Sequence, residues 1–558
     1  MFCVTSCLNR PYKAEQKSIK KERSLVALGQ LWGFLKYHHP AVANGNYDWD
    51  MELIKIIPLV REAEDDSIWK KLLDSWLDSL PPILENPGKK LPDLEIKLKP
   101  DYGELFNDEY FLPETIEKIR YILDNAVILT NHYVRVDMNP YARPTIITNE
   151  FSYKDLLYPE LSYRLLALFR YWNIVNYFFP YRELCDQKWS TVLADMLPEF
   201  INAKNQEEYI FACLKLATKI DDSHGSLNPN LNMGLLNVPF AVQFIENQLV
   251  VTMFTGNDDY VKEKIEIGDI ITSIDGEPVD AIVNRMLPYT PASNYPVKLR
   301  QISSYILTGN ASSVNIVVQR DGKTFKIKIP RYDQRLLNTP NYYSDPQPDK
   351  EGFRILDSSI GYVLPSNSKD EDVKKGIGKV LDGTKGVIVD FRCYPNNFDV
   401  SYFLSHLDLI EKDRFFPEIL SNANVSYPGY FFTRKNIRPR IVPQKSYSQK
   451  IVVIVNEYTQ SQAEEVVMYF QTASNVIVIG STTAGADGWI INFSLPGNII
   501  TRITGVGEYY PDGGETQRVG IRIDEFMKPT IAGIKTGRDE LLERAIEIIN
   551  ESYQVYEQ

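Results

Sequence analysis

IVVIVNEYTQSQAEEVVMYFQTASNVIVIGSTTAGADG, residues 451–488, reads as strand, tight turn, helix, strand and glycine loop, with Ser461 opening the helix. The apolar run Ile451 to Val455 has the length and β-branched content of a buried strand, and the polar turn Asn456 to Gln460 bounds it. Beyond Ser461 the period changes, and Val466, Val467, Phe470 and Ala473 recur at helical spacing. Glu464, three residues after the serine, completes an N-capping box, so a capping role competes with a nucleophilic one for Ser461. Glu464 and Glu465 read as helix-start charges that complement the dipole.

The surrounding chain has 558 residues, more than one core organises well, so about two to four domains are expected, and 44% hydrophobic residues allow each a core. A net charge of -12 and a sequence pI near 5.2, with no basic stripe beside an aromatic ladder, exclude a nucleic-acid surface. Five cysteines show no metal-like pairing beyond Cys3 and Cys7, and the odd count argues against a complete disulfide framework. No run approaches the roughly 18 apolar residues of a membrane span. Val4-Thr5-Ser6-Cys7 resembles the end of a bacterial lipoprotein signal without its hydrophobic region, which makes membrane attachment through a lipidated N-terminus an expectation.

An ungapped offset of 140 residues exposes an internal repeat. Leu25, Ala27, Leu28, Trp32, Tyr37, Pro40, Trp49, Leu53 and Pro58 match Leu165, Ala167, Leu168, Trp172, Tyr177, Pro180, Trp189, Leu193 and Pro198. The spacing of the first four is helical, the proline breaks it, and a second helix begins near the second tryptophan. Third helices are expected over Ile68 to Leu80 and Glu207 to Ile220. The stretch Pro81 to Asn149 between the copies carries Pro and Gly breaks and no legible role. Its division gives helical units over residues 20–150 and 151–237.

Only the second copy runs into Asp221-Asp222-Ser223-His224-Gly225-Ser226-Leu227, a polar turn with one of the five histidines. A serine nucleophile needs a base of near-neutral pKa, which histidine supplies, although a histidine hydrogen-bonded in a helix-terminating turn fits as well. His38 and His39 sit where the second copy has Phe178 and Phe179 and read as structural; His132 and His406 have no motif around them.

Residues 238–332 change to short strands and turns. Gly268-Asp269-Ile270-Ile271-Thr272-Ser273-Ile274-Asp275-Gly276 and the closing hairpin at Arg320-Asp321-Gly322-Lys323 resemble a PDZ domain. Such domains bind an extended peptide at a sheet edge and often hold its C-terminal carboxylate on backbone amides. The expected site is Leu236, Val238 and Phe240, without the Gly-Leu-Gly-Phe of that family.

After the linker Asp333 to Gly352, KGVIVDFRCYPNN at 385–397 ends a strand in Asp-x-Arg-x-x-Pro. A Ser-His-Gly turn, a PDZ-like insert, this strand, the Ser-x-Ala-Glu helix and a Thr-x-Gly loop resemble, in that order, the C-terminal processing (tail-specific) serine peptidases and their tricorn-type relatives. The resemblance spans residues 160–535. It implies an α/β multidomain fold in which a crotonase/ClpP-like α/β peptidase core, residues 353–550, follows the helical region and the small β-rich PDZ-like domain.

Residue by residue, the resemblance makes Ser461 the nucleophile, with the backbone N–H of Gln462 as one oxyanion donor and that of Asn396, just after Pro395, as the second. The family's Pro-Gly-Gly turn is replaced by Asn396 and Asn397, and asparagine tolerates the left-handed conformation. The lysine base of the processing peptidases is missing from Thr483-Ala484-Gly485-Ala486-Asp487-Gly488, whereas His224 stands where the tricorn-type relatives carry their histidine. For the third group Gln517 falls at the relatives' glutamate, Glu515 lies two residues away on the same strand face, and Asp222 and Asp487 are further candidates. Glu515 is the expected choice.

The implied function is a serine endopeptidase that hydrolyses polypeptides gripped near their C-terminus, extracytoplasmic (periplasm or cell envelope), using neither metal nor organic cofactor. A catalytically degenerate peptide-binding protein of the same fold is the alternative. A hydrophobic-ligand carrier is a third reading, with no sequence feature for a lipid cavity.

Overall fold

The computed structural model describes residues 9–86, 88–137, 144–228, 234–338, 352–356, 359–367, 378, 380–381, 383–395, 405, 418–421, 426–434 and 447–557. Asn396, Asn397, His406, Cys3, Cys7 and most of the linker after Leu337 lie outside them. Among the described residues no helix is long and apolar enough to cross a membrane.

The apolar run of residues 451–455 forms the centre of a six-stranded sheet. Its strands lie in the order Phe353–Leu356, Ile360–Val363, Gly386–Asp390, Lys450–Val455, Val476–Gly480 and Glu525–Phe526. The first pair is antiparallel and all later pairs are parallel. Strands so uniformly apolar must be covered on both faces. The helix Gln462–Phe470 packs Ala463, Val466, Val467 and Phe470 against Val387, Val389 and Val453 on one face. Leu541, Ala545, Ile548 and Ile549 of the helix Glu540–Glu557 cover Ile388, Val452 and Ile454 on the other.

The N-terminal region is helical. Asn9–His38, Trp49–Glu62 and Asp66–Asp78 are answered by Leu161–Phe178, Trp189–Asn202 and Gln206–Thr218. The tryptophans paired by the 140-residue offset make the same bonds in both segments. Trp32 and Trp49 each donate the indole N–H to the other's carbonyl at 3.0 Å, as do Trp172 and Trp189. Buried indoles need a partner, and these find one in each other's backbone. Pro58 and Pro198 sit inside the second helix of each set.

A buried ionic network ties these helices together. Lys36 Nζ lies 2.6 Å from Glu150 Oε1, and Arg170 pairs with Asp50 at 2.5 Å and Glu150 at 2.7 Å. Arg170 also donates to the carbonyls of Phe151 and Ser494 at 2.8 and 2.7 Å, reaching into the hairpin Ile490–Leu495/Ile499–Thr504. That hairpin is no appendage of the sheet. Ile491, Phe493, Leu495, Ile499 and Ile503 share one hydrophobic core with Leu28, Trp32, Trp172 and Leu216 of the helices.

The stretch Pro81 to Asn149, silent in the sequence, also docks here. Its strand Ile96–Leu98 joins an antiparallel sheet with Phe431–Arg434, Glu418–Ser421 and Gly507–Tyr509.

Between helices and sheet lies a unit whose strands run in the order Lys323–Pro330, Ser313–Arg320, Ile270–Ile274, Gln248–Phe254 and Phe240–Ile245. Its hairpin closes on Asp321 and Gly322, both at positive φ, as the Asp-Gly pair requires for a tight two-residue turn. The helix Tyr295–Tyr305 packs beside the edge strand Phe240–Ile245.

Candidate active site

Ser461 stands in a strained conformation, φ 58° and ψ −128°, between the strand Lys450–Val455 and the helix Gln462–Phe470. A non-glycine residue held there costs roughly 1–3 kcal/mol and persists only where its surroundings enforce it. The surroundings are visible. Ser461 N–H donates to the Ala486 carbonyl at 3.0 Å and to Glu464 Oε2 at 3.2 Å. The Glu464 N–H goes to the Ser461 carbonyl at 2.7 Å. Among the described residues the Gln462 N–H, first of the helix, has no hydrogen-bond partner.

Glu464 is not the solvated helix-start charge its position suggests. It is fully buried, and its carboxylate also accepts from Thr483 Oγ1 at 2.6 Å and from the N–H groups of Gly485 and Ala486 at 2.8 and 3.1 Å. Burial raises its pKa, and these bonds oppose the rise. The carboxylate thereby clasps the glycine loop to the serine turn. Gly485 is at φ +60°, and a Cβ there would meet the Arg518 backbone at 2.7 Å, so no side chain fits.

His224 reaches the site by strand pairing. Ser226–Asn228, just after it, pairs antiparallel with Ile499–Thr504, with Ser226 opposite Arg502. The register brings Thr504 Oγ1 to 2.8 Å from His224 Nδ1. Asp222 is fully buried and accepts from His224 N at 3.0 Å and Thr504 N at 2.8 Å. Its Oδ1 lies 4.0 Å from His224 Nδ1. Burial lowers the His224 pKa, Asp222 opposes this, and Arg502 adds to it. The imidazole is therefore neutral near pH 7, and an Nδ1–H given to Thr504 leaves Nε2 with a free lone pair.

Ser461, Gln462 and His224 line one cavity of about 620 Å³, together with Gln460, Glu465, Asp487, Trp489 and Glu508. Glu515 is not among its lining residues; it bridges to Tyr509 and is exposed. Gln517 is buried and donates to Asp222 at 3.3 Å, so the relatives' glutamate position here supports the aspartate. Thr504 was missed because nothing in a strand threonine signals a partner 280 residues away. Before Pro395, Arg392 pairs with Asp390 at 2.7 Å and Asp539 at 2.6 Å, which anchors the end of that strand.

Of the peptide-site residues, Val238 and Phe240 bury their side chains in the core of the β-rich unit, and Leu236 exchanges backbone bonds with Gly309 at 3.0 and 3.1 Å. The open surface lies further along. Gln243, Phe244 and Ile245 of the edge strand and Tyr295, Leu299 and Arg300 of the facing helix line a second cavity of about 220 Å³. Arg300 donates to the Glu457 carbonyl at 2.5 Å and to Gln460 Oε1 at 2.9 Å, while Gln460 Nε2 donates to the Ser223 carbonyl at 3.1 Å. One guanidinium thus links the groove helix to the turns that carry Ser461 and His224.

Residues 359–526 match Peptidase family S41. No curated relative matches the sequence. Among solved structures, mature CPAF complexed with lactacystin superposes with a TM-score of 0.53 at 13% identity, over 71% of this chain and 99% of that one. Mature CPAF alone gives 0.54 at 13% identity, over 71% and 98%. The photosystem II D1 C-terminal processing protease gives 0.37 at 14% identity, over 68% and 98%. Residues 359–526 are thus similar to Peptidase family S41, and 71% of the chain shares its fold with mature CPAF.

Proposed function

We propose that the chain is a serine endopeptidase that hydrolyses polypeptides, with Ser461 as nucleophile and His224 as general base. The observation that carries this reading is the strained Ser461 sharing a cavity with a histidine that burial keeps neutral. Ser461 Oγ attacks the scissile carbonyl, and His224 Nε2 takes the hydroxyl proton. The carbonyl oxygen, now an alkoxide, is held by the Gln462 N–H, with Asn396 as the expected second donor. His224 then protonates the departing amine, leaving an acyl-serine. Water, deprotonated by His224, releases the new carboxylate and restores the serine.

Thr504 and Asp222 take the third role in place of Glu515. Thr504 holds the imidazole in place by its bond at Nδ1, and the Asp222 charge stabilises the imidazolium that forms. The substrate's C-terminal portion adds to the edge strand Phe240–Ile245 of the PDZ-like unit, against Tyr295–Tyr305. Extracytoplasmic localisation is part of the same reading.

The test digests unstructured proteins and peptides of varied C-terminus with wild type, Ser461→Ala and His224→Ala, followed by mass spectrometry. Cleavage by wild type that vanishes in both variants supports the reading. Peptide binding without cleavage in any of the three selects the degenerate peptide-binding protein instead.

A further inference from the structure

The wall of the Ser461 cavity holds three carboxylates that the hydrolytic mechanism does not use. Glu465 lies one helical turn beyond Ser461, and its N–H donates to the Ser461 carbonyl at 3.2 Å. Asp487 follows Ala486, whose carbonyl receives the Ser461 N–H. Glu508 comes from the strand Gly507–Tyr509 on the neighbouring sheet.

Asp487 and Glu508 are 1% and 3% exposed. Asp487 Oδ1 accepts from Gly488 N–H at 2.7 Å, and Glu465 Oε1 accepts from Tyr469 OH at 2.7 Å. Asp487 Oδ2 and Glu508 Oε2 receive no N–H or hydroxyl donor among the described residues, and the two carboxyl groups hydrogen-bond to each other. A buried carboxylate oxygen without a donor costs free energy, so a chain that keeps two of them in its cleft keeps them for something that arrives there. The backbone holds Glu508 firmly: its N–H donates to Tyr181 OH at 2.6 Å, and its carbonyl accepts from Tyr181 OH at 3.1 Å and Thr516 Oγ1 at 2.8 Å.

The cation on the same wall, Arg502, directs Nε to the His224 carbonyl at 3.2 Å. Burial pushes Asp487 and Glu508 well above the ordinary carboxylate range, with repulsion from Glu508 and Glu465 adding to the rise at Asp487 and repulsion from Glu465 to that at Glu508, where the hydrogen bond with Asp487 opposes it. A cationic group placed among them relieves that repulsion and supplies the missing donors at once. The half-exposed indole of Trp489, 45% exposed on the same wall, offers a face on which a guanidinium or ammonium can rest. Among the described residues no group of His, Cys, Asp and Glu has the arrangement to hold a metal ion, which leaves an organic cation as the fitting guest.

We propose that the cavity selects substrates by a lysine or arginine side chain next to the scissile bond, received by Asp487 and Glu508 with Glu465 beside them. The proposal rests on the peptidase reading for the word substrate, but the pocket's preference for a cation can be measured without turnover.

The full-length Ser461→Ala protein is titrated calorimetrically with two peptides that differ only in carrying arginine or its neutral isostere citrulline at one central position. Wild type is digested in parallel with a peptide library read by mass spectrometry. The arginine peptide is expected to bind at least about tenfold more tightly, a difference of roughly 1.4 kcal/mol. Asp487→Asn and Glu508→Gln, each added to Ser461→Ala, should shrink that ratio toward unity, and cleavage should fall beside Lys or Arg. Equal binding of the two peptides, or no measurable binding of either, overturns the inference, and this comparison needs no substitution among the carboxylates. Cleavage indifferent to the arginine-to-citrulline change overturns it while the peptidase reading stands. Preferential binding of arginine with no cleavage by wild type upholds the cationic pocket and removes the peptidase reading.

Discussion

Ser461, His224 and Thr504 define the residue scale, where the proposed mechanism moves its protons. The His224 pKa lies below its ordinary 6.5 because burial outweighs the nearby Asp222 charge. In the proposed mechanism the active form is the neutral imidazole, so kcat/KM is expected to rise as His224 loses its proton. The acidic limb of the pH profile is therefore expected below pH 6.5, and a midpoint above that value would contradict the burial argument. The same shift bears on stability. The unfolded chain takes up a proton below about pH 6.5 that the folded chain refuses, so this contribution is complete above that pH and is lost as pH falls toward the folded pKa. Thr504→Val removes the acceptor at Nδ1 without changing the side chain's shape, and kcat should fall about tenfold, the worth of one buried hydrogen bond. Thr504→Ser keeps the hydroxyl and should recover most of the loss, which a merely steric role for Thr504 would not produce.

At the scale of elements, the serine turn, the helix Gln462–Phe470 and the glycine loop act as one piece because Glu464 binds all three. Glu464→Ala strands the Thr483 hydroxyl and the N–H groups of Gly485 and Ala486 in the interior, while the Ser461 N–H keeps the Ala486 carbonyl. Stability should drop by roughly 2–4 kcal/mol, read as a lower urea midpoint, with peptidase activity lost in step. In sequence, Glu464 was visible only as the third residue of a capping box. The capping box is present, and its carboxylate carries more than the box requires, holding the glycine loop as well as the serine backbone. The repeat shows the reverse case. Its tryptophans and prolines were legible at a fixed offset because each helical set satisfies its own indoles locally.

On the scale of the whole molecule, His224 leaves the helical region, Ser461 opens a helix of the α/β core, and Arg300 comes from the β-rich unit between them. Arg300→Ala cuts its bonds to Gln460 and Glu457, so kcat should fall roughly tenfold with little change in thermal midpoint; an unchanged kcat would mean the groove helix does not position the site. The buried network of Lys36, Asp50, Glu150 and Arg170 joins the helices to the hairpin that carries Thr504. Asp50→Ala leaves Arg170 short of a counter-charge and should destabilise the protein by about 3–5 kcal/mol, seen in thermal unfolding. The sequence by itself determined the local pieces: the buried strand before Ser461, the helix after it, the Asp-Gly hairpin and the paired helical sets. Hydrophobic period and turn chemistry act between near neighbours, so they can be read without the fold. Only the tertiary structure decided that Thr504 rather than Glu515 meets His224, that Gln517 supports Asp222, and that Asp487 and Glu508 line the cavity that holds Ser461. These meetings depend on which strands pair and in what register, and a one-residue slip of Ser226–Asn228 against Ile499–Thr504 would turn each strand's side chains to the opposite face.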